Sequence, residues 1–223
     1  MIYNKDIVSI ENLLSNERIT DSNLLSNSFD INCIKIRTSE NNEYIVKFYE
    51  KESLEFNAIK SEGKNLTFFN DLDLTHFPKV ISKSDKYLIM SFIENNKQNP
   101  SETRNDLIKA IVGIHKFCSE DYGFDFDTQV GGLRQINKKS NNWVNFYREN
   151  RLGYIFEKIN KTEPMDSSIN KKLERLLNNL ENYIPKEPKA SLLHGDLWEG
   201  NILFKDKKFK GFIDPGSFYG HSE

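Results

Sequence analysis

Near residue 95 the apolar pattern of this 223-residue chain changes its period, and that change limits the possible folds more than any other feature. Before it, apolar residues come in short alternating runs. INCIKIR (31–37) and EYIVKFY (43–49) flank the polar segment TSENN and read as a hairpin. In the second run Tyr44, Val46 and Phe48 share one face, and Ile45, Lys47 and Tyr49 the other. FPKVIS (77–82) and KYLIMSFIE (86–94) read as two more strands, and 6–17 and 52–70 as helices. ENNKQNPSE (94–102) is polar, contains a proline and reads as a linker. Beyond it the spacing is helical over 102–118, 141–160 and 167–184, where Pro185 and Pro188 stop the last helix. The final stretch reads as loop, strand, hairpin, strand, loop. The order predicts an α+β chain: a β-rich N-terminal lobe over 1–94, a helical C-terminal lobe over 95–223, and a cleft between them.

Composition removes several function classes. Lys plus Arg number 31 against 33 Asp plus Glu, a net charge of −2, so no basic surplus exists to hold a nucleic-acid backbone. No apolar run approaches the roughly 18 residues of a membrane span. The N-terminal MIYNKDIVSIENLL is broken by charges, unlike a secretory signal. The two cysteines, Cys33 and Cys118, make no disulfide framework and suit a reducing, cytoplasmic setting. Neither nucleic acid nor a membrane is therefore an expected partner.

The chemistry concentrates in His194-Gly195-Asp196-Leu197-Trp198-Glu199-Gly200-Asn201. Asp196 and Asn201 are five apart, the apolar run ILF follows, and a second strand, FKGFI, leads to Asp214. Phosphoryl transfer needs this set in one place. One carboxylate orients the attacking hydroxyl and takes its proton, while an amide oxygen and a second carboxylate hold Mg²⁺ against the nucleotide phosphates. Hard oxygen donors suit Mg²⁺, and phosphate completes its shell. The Asp-x₄-Asn spacing is that of protein-kinase catalytic loops. Lys47 lies mid-strand among apolar residues, where burial is costly without a partner. Glu62, fifteen residues on in the following helix, is the partner expected, in the arrangement that positions the α- and β-phosphates.

With these residues in view, the sequence resembles the fructosamine kinase, or ketosamine-3-kinase, family, which is similar to the aminoglycoside phosphotransferases and has a protein-kinase-like two-lobe fold. The resemblance rests on HGDLWEGNILF (194–204), GFIDPGSFYGHSE (211–223) and NNWVNFYRENRLG (141–153), with weaker support from YIVKFY, SEGKNL, GIHKF and GFDFDTQVGGLRQIN, and runs from about residue 28 to the end. It implies transfer of the ATP γ-phosphate to the 3-hydroxyl of a fructosamine or ribulosamine, small-molecule or protein-bound. The 3-phosphate makes the adduct unstable, so the amine is released and glycation reversed. It further implies Asp196 as the base, Asn201 and Asp214 as Mg²⁺ ligands, Lys47 on phosphate with Glu62 beside it, and Met90-Ser91-Phe92-Ile93 as the segment receiving adenine through its backbone.

Three departures from the family pattern stand out. The nucleotide loop, which usually carries glycines, is here Ser28-Phe29-Asp30-Ile31-Asn32, with Ser28, Asp30 and Asn32 as its candidate contacts. Gly131-Gly132-Leu133-Arg134-Gln135 replaces a stretch that more often has proline before Gln. The chain ends nine residues after Asp214, where family members continue, so the C-terminal lobe is expected to be incomplete. Trp198 is open between stacking on substrate and loop packing. His194 is expected to support its loop, and His115 to sit in the core. Lys205-Asp206-Lys207-Lys208 reads as a hairpin tip. Arg148 and Arg151 are open to a carboxylate partner. Two alternatives remain beside the ketosamine kinase: the same fold acting on an aminoglycoside or choline-type substrate, and an inactive kinase-like scaffold.

Overall fold

The computed structural model describes residues 4–49, 56–98 and 104–222. Parts of the expected helix starts at 52 and 102, and of the linker at 94–102, lie outside these. The chain divides into two compact units, 1–110 with 129–134 and 196–216, and 111–128 with 135–195 and 217–223. The first unit thus takes in residues 95–110, 129–134 and 196–216 beside the N-terminal strands.

The first unit is built on a five-stranded antiparallel sheet with order β1-β2-β3-β5-β4. Its elements are α1 (Asn4–Leu13), β1 (Ile19–Ser28), β2 (Ile31–Thr38), β3 (Glu43–Tyr49), α2 (Ala58–Asp71), β4 (Val80–Lys83) and β5 (Tyr87–Ser91). The β1 strand, ITDSNLLSNS, is polar and almost wholly exposed, so it offers no alternation to read. One face of the sheet packs Ile34, Ile36, Val46, Phe48, Tyr87 and Ile89 against Ile10 and Leu14 of α1 and the segment after it. The buried Asp6 ties α1 down, taking bonds from Tyr87 Oη at 2.6 Å and Lys86 Nζ at 2.8 Å. Against β5 lies α2, started by Asn57, whose side chain accepts from the Lys60 N–H. Gly63 lets the helix approach, since a Cβ there would lie 3.3 Å from Leu88.

The helix α3 (Asn105–His115) runs across the division between the units. The second unit holds β6 (Cys118–Ser119), α4 (Trp143–Tyr147), α5 (Tyr154–Thr162), α6 (Ser167–Asn178) and β9 (Ala190–Leu193), with β12 (Phe218–Gly220) at its end. Between β6 and α4, β7 (Thr128–Val130) and β8 (Leu133–Gln135) form a short hairpin. The strands pair antiparallel in the order β12-β9-β6. The expected helix 141–160 is interrupted by a π-turn at Arg148–Gly153. Gly153 permits it, because a Cβ there would lie 2.6 Å from the Arg148 carbonyl. Arg148 meets Glu181 at 2.9 Å. Arg151 instead donates to the Ile136 and Asn150 carbonyls and to Asn137 Oδ1, between the rings of Phe146 and Phe218. Among the described residues no helix is long and apolar enough to cross a membrane.

Candidate active site

The site is assembled by a hairpin in the first unit. After the single turn Glu199–Asn201, β10 (Ile202–Lys205) pairs antiparallel with β11 (Lys208–Phe212) around a tight turn at Asp206–Lys207. Both turn residues take positive φ, 50° and 64°, as such hairpin turns require. Pairing Ile202 with Phe212 brings the two open ends together, and the Ile213 N–H donates to the Asn201 carbonyl at 3.1 Å. Asn201, just before β10, and Asp214, just after β11, are thereby neighbours. The hairpin is fastened to the unit by Phe212 N–H on the His76 carbonyl at 2.8 Å, and Phe212 continues the Phe69–Phe77 stack. Gly211 is needed at that contact, where a Cβ would meet the His76 oxygen at 2.5 Å.

Across from the hairpin, Lys47 projects from the face of β3 that looks toward α2. Its Nζ lies 2.8 and 2.9 Å from the two oxygens of Glu62 and 2.5 Å from Asp214 Oδ1. Burial opposes the ammonium, but Asp214 and Glu62 outweigh it and hold Lys47 above its usual range. Two carboxylates on one ammonium leave surplus negative charge. Burial, with Asp214 adding to it against the pull of Lys47, raises Glu62 to about 7. Burial raises Asp196 as well, and the Asp214 charge adds to that, while the Asn201 hydrogen bond works the other way.

Asn201 donates from Nδ2 to the Asp196 carbonyl at 2.8 Å and to Asp196 Oδ2 at 3.3 Å. Only the amide nitrogen can make those bonds, so Oδ1 is the atom turned to other uses. The donor set, an amide oxygen beside a carboxylate in an electronegative place, fits Mg²⁺. Among the described residues no cluster of three or more His, Cys, Asp or Glu forms an all-protein cage, which Mg²⁺ on phosphate does not need. Asp214 takes φ +56° directly before Pro215. A left-handed aspartate is uncommon outside turns and functional sites.

The remaining sequence candidates fall out as follows. Met90 pairs with Ile45 on one side and Val80 on the other, and the Ser91 N–H donates to the Lys79 carbonyl at 2.9 Å. Those backbone groups serve the sheet, and of the four residues only Phe92 and Ile93 lie beyond the strand. The loop without glycines is a two-residue turn in which Phe29 and Asp30 take φ of 52° and 60°. Ser28 is exposed, whereas Asn32 is buried and accepts from Asn27 Nδ2 at 2.8 Å. The glycines missing from this loop stand opposite it: Phe29 lies on Gly131-Gly132, and a Cβ on Gly132 would come 2.7 Å from Phe29 Cβ. The Trp198 indole is largely exposed and lies over Gly200, where a Cβ would be 2.3 Å from the ring. His194 is buried, and its carbonyl accepts from Ser217 Oγ. Burial pushes the Cys33 thiol up to about 11. A depression of about 540 Å³ beside Phe92 holds Lys35, Arg37 and Lys205, all already paired with Glu43 or Glu94. Sequence reasoning missed Asn65 of α2, fully buried with its Nδ2 2.9 Å from the Pro215 carbonyl.

A five-stranded sheet with a paired lysine, followed by an Asp-x₄-Asn loop and a hairpin to aspartate, defines the protein-kinase-like class of α+β folds. A solved Thermobifida fusca protein, provisionally called a fructosamine-3-kinase, superposes with a TM-score of 0.84 at 20% identity, covering 99% of this chain and 76% of that one. An ADP-bound aminoglycoside phosphotransferase superposes at 0.65 with 17% identity, over 99% and 73%. The family model for fructosamine kinase matches residues 6–223, beginning earlier than the resemblance legible in the motifs, and the chain belongs to that family. The chloroplastic protein-ribulosamine 3-kinase of Arabidopsis thaliana is 36% identical over 143 residues, 61% of this chain and 42% of that protein. A protein of Enterococcus faecium provisionally called a ketoamine kinase is 27% identical over 221 residues, 97% and 77%. The chain thus spans about two-fifths of the length of the plant relatives it matches.

Proposed function

We propose that the chain carries the machinery of an ATP-dependent ketosamine 3-kinase. The observation that supports it is the convergence of Asp196, Asn201 and Asp214 with the Lys47–Glu62 pair in a member of the fructosamine kinase family. The substrate class follows the relatives, called ribulosamine and ketoamine kinases. ATP use follows the fold, one relative of which holds ADP.

In this reading Asp196 accepts the proton of the sugar 3-hydroxyl as its oxygen attacks the γ-phosphorus, and the bond to the ADP oxygen breaks. The same Asn201 bonds that orient Asp196 turn its own Oδ1 toward the metal position. Asn201 Oδ1 and Asp214 would hold Mg²⁺, which when bound neutralises charge on the phosphate oxygens. Lys47, kept protonated by its carboxylates, meets the α- and β-phosphates, and Glu62 fixes its direction. Phe92 and Ile93 offer backbone groups to adenine. The turn at 28–32 covers the phosphates, and Trp198 stacks on the sugar. The cytoplasm suits the two free cysteines.

The test is ATP consumption with fructoselysine, ribuloselysine and kanamycin, followed by locating the phosphate on the product. The ketosamines should be consumed and modified at the 3-position; turnover of kanamycin alone would reassign the substrate. Asp196→Asn should lower turnover at least about a hundredfold with Mg·ATP affinity retained. Near-native turnover would remove Asp196 as the base.

A further inference from the structure

The helix α2 faces the Asp214 segment with two polar side chains one turn apart. Glu62 reaches Asp214 through the Lys47 ammonium. Asn65, three residues on and therefore on the same side of the helix, reaches the backbone one peptide beyond it, donating Nδ2 to the Pro215 carbonyl at 2.9 Å. Between these two holds sits Asp214, at φ +56° before a proline that restricts it further. The next residue is also confined: a Cβ on Gly216 would lie 2.4 Å from the Gln129 carbonyl.

Asn65 is an expensive residue for this place. It has no solvent exposure, and its Oδ1 has no hydrogen-bond partner. An amide here leaves its own Oδ1 unpartnered and gains only the bond to the Pro215 carbonyl, the hold on the backbone next to Asp214. Leucine has the same shape and would extend the apolar surface of Ile59, Leu66 and Phe69. Packing alone therefore does not account for an amide here, whereas a fixed direction for the Asp214 carboxylate does.

We propose that Asn65 is a positioning residue for metal-nucleotide binding: through the Pro215 carbonyl it holds Asp214 in the left-handed conformation from which the carboxylate meets the cation. The proposal rests on the phosphotransferase reading above. It makes α2 a two-point clamp on the segment that carries Asp214.

Asn65→Leu separates this from a structural role, with Asn65→Asp as a second variant of equal size that also lacks the donor. ADP binding is measured by calorimetry with and without Mg²⁺ on the whole chain, and the melting temperature is taken free of ligand. Asn65→Leu should melt somewhat below the wild-type temperature, because it relieves the unpartnered Oδ1 but strands the Pro215 carbonyl. Its Mg·ADP affinity should fall about tenfold, the worth of one well-placed hydrogen bond, with metal-free ADP affinity unchanged. In an Asp214→Ala background the substitution should have no further effect on Mg·ADP. Native Mg·ADP affinity in both variants overturns the proposal, as does an equal loss with and without Mg²⁺. If the wild-type chain itself binds no Mg·ADP, the phosphotransferase reading falls and this one with it; native binding by wild type and variants together sinks only the role of Asn65.

Discussion

Lys47, buried, and Arg151, half-buried, are enclosed cations, one in each unit, and their surroundings differ in kind. Lys47 is met by two carboxylates, so its neighbourhood carries more negative than positive charge. Arg151 is met by carbonyl oxygens, one amide oxygen and two aromatic faces, with Phe218 4.0 Å and Phe146 4.7 Å from the guanidinium carbon. Burial pulls Arg151 down from its ordinary pKa and works against Lys47 too, but the carboxylates push Lys47 up. A guanidinium spreads its charge and can be riveted by dipoles, whereas a compact ammonium needs counter-charge. The Arg151 arrangement leaves its Nε without a partner but holds no surplus charge. The Lys47 arrangement leaves Glu62 and Asp214 in surplus, a place suited to a divalent cation and the phosphates it carries.

The largest expected effect follows from removing the compact charge. Lys47→Met leaves Glu62 and Asp214 facing each other with no cation, which should cost about 3–5 kcal/mol of stability and, on the proposed reading, abolish phosphate transfer. Denaturant melts of the metal-free protein read the first, ATP consumption the second. A Lys47→Met chain as stable as wild type would show that the carboxylates do not depend on the ammonium, and the contrast between the two cations would disappear.

Arg151→Met is the matching change in the second unit and should cost less, about 2–3 kcal/mol, because what it strands are neutral acceptors: the Ile136 carbonyl and Asn137 Oδ1. Arg151→Lys should recover only part of this, since an ammonium cannot reproduce the planar fork. Should Arg151→Met prove the more damaging of the two in the same melts, the ranking by charge is wrong.

Sequence alone made much of the first arrangement legible and little of the second. An isolated lysine in YIVKFY must find a carboxylate or stay wet, and Glu62 stands at the right distance down the chain. A hairpin between Asn201 and Asp214 brings its own ends together by geometry. Arg151 gave no such lead, because carbonyl acceptors have no residue signature and the π-turn that aims it depends on one close approach at Gly153. The same holds for Phe29 on Gly131-Gly132, where two segments a hundred residues apart exchange a bulky side chain for glycines. Strand β1 was hidden because an exposed polar edge has no buried face to alternate. Asn65 did carry a signal: a polar residue on the apolar face marked by Ile59, Leu66 and Phe69.

The finest test of the contrast is a slope rather than a loss. Burial, with the Asp214 charge, pushes Glu62 up from an ordinary 4.5 to about 7, so the folded state holds this proton more tightly. Its contribution to stability is then fully present below about 4.5 and disappears as pH rises through about 7. Other carboxylates move the opposite way; Glu43, bonded to Arg37 and Lys35, is lowered and favours the folded state as pH rises. The slope belonging to Glu62 is therefore the difference between wild type and Glu62→Gln, each melted at intervals across this range in metal-free buffer. That difference should shift steadily against wild type as pH rises. The same subtraction made with Arg151→Met should be flat there, because the guanidinium stays charged throughout. A flat difference for Glu62→Gln would mean that Lys47 alone sets the charge of the pair and that no surplus waits in the first unit for a cation to relieve.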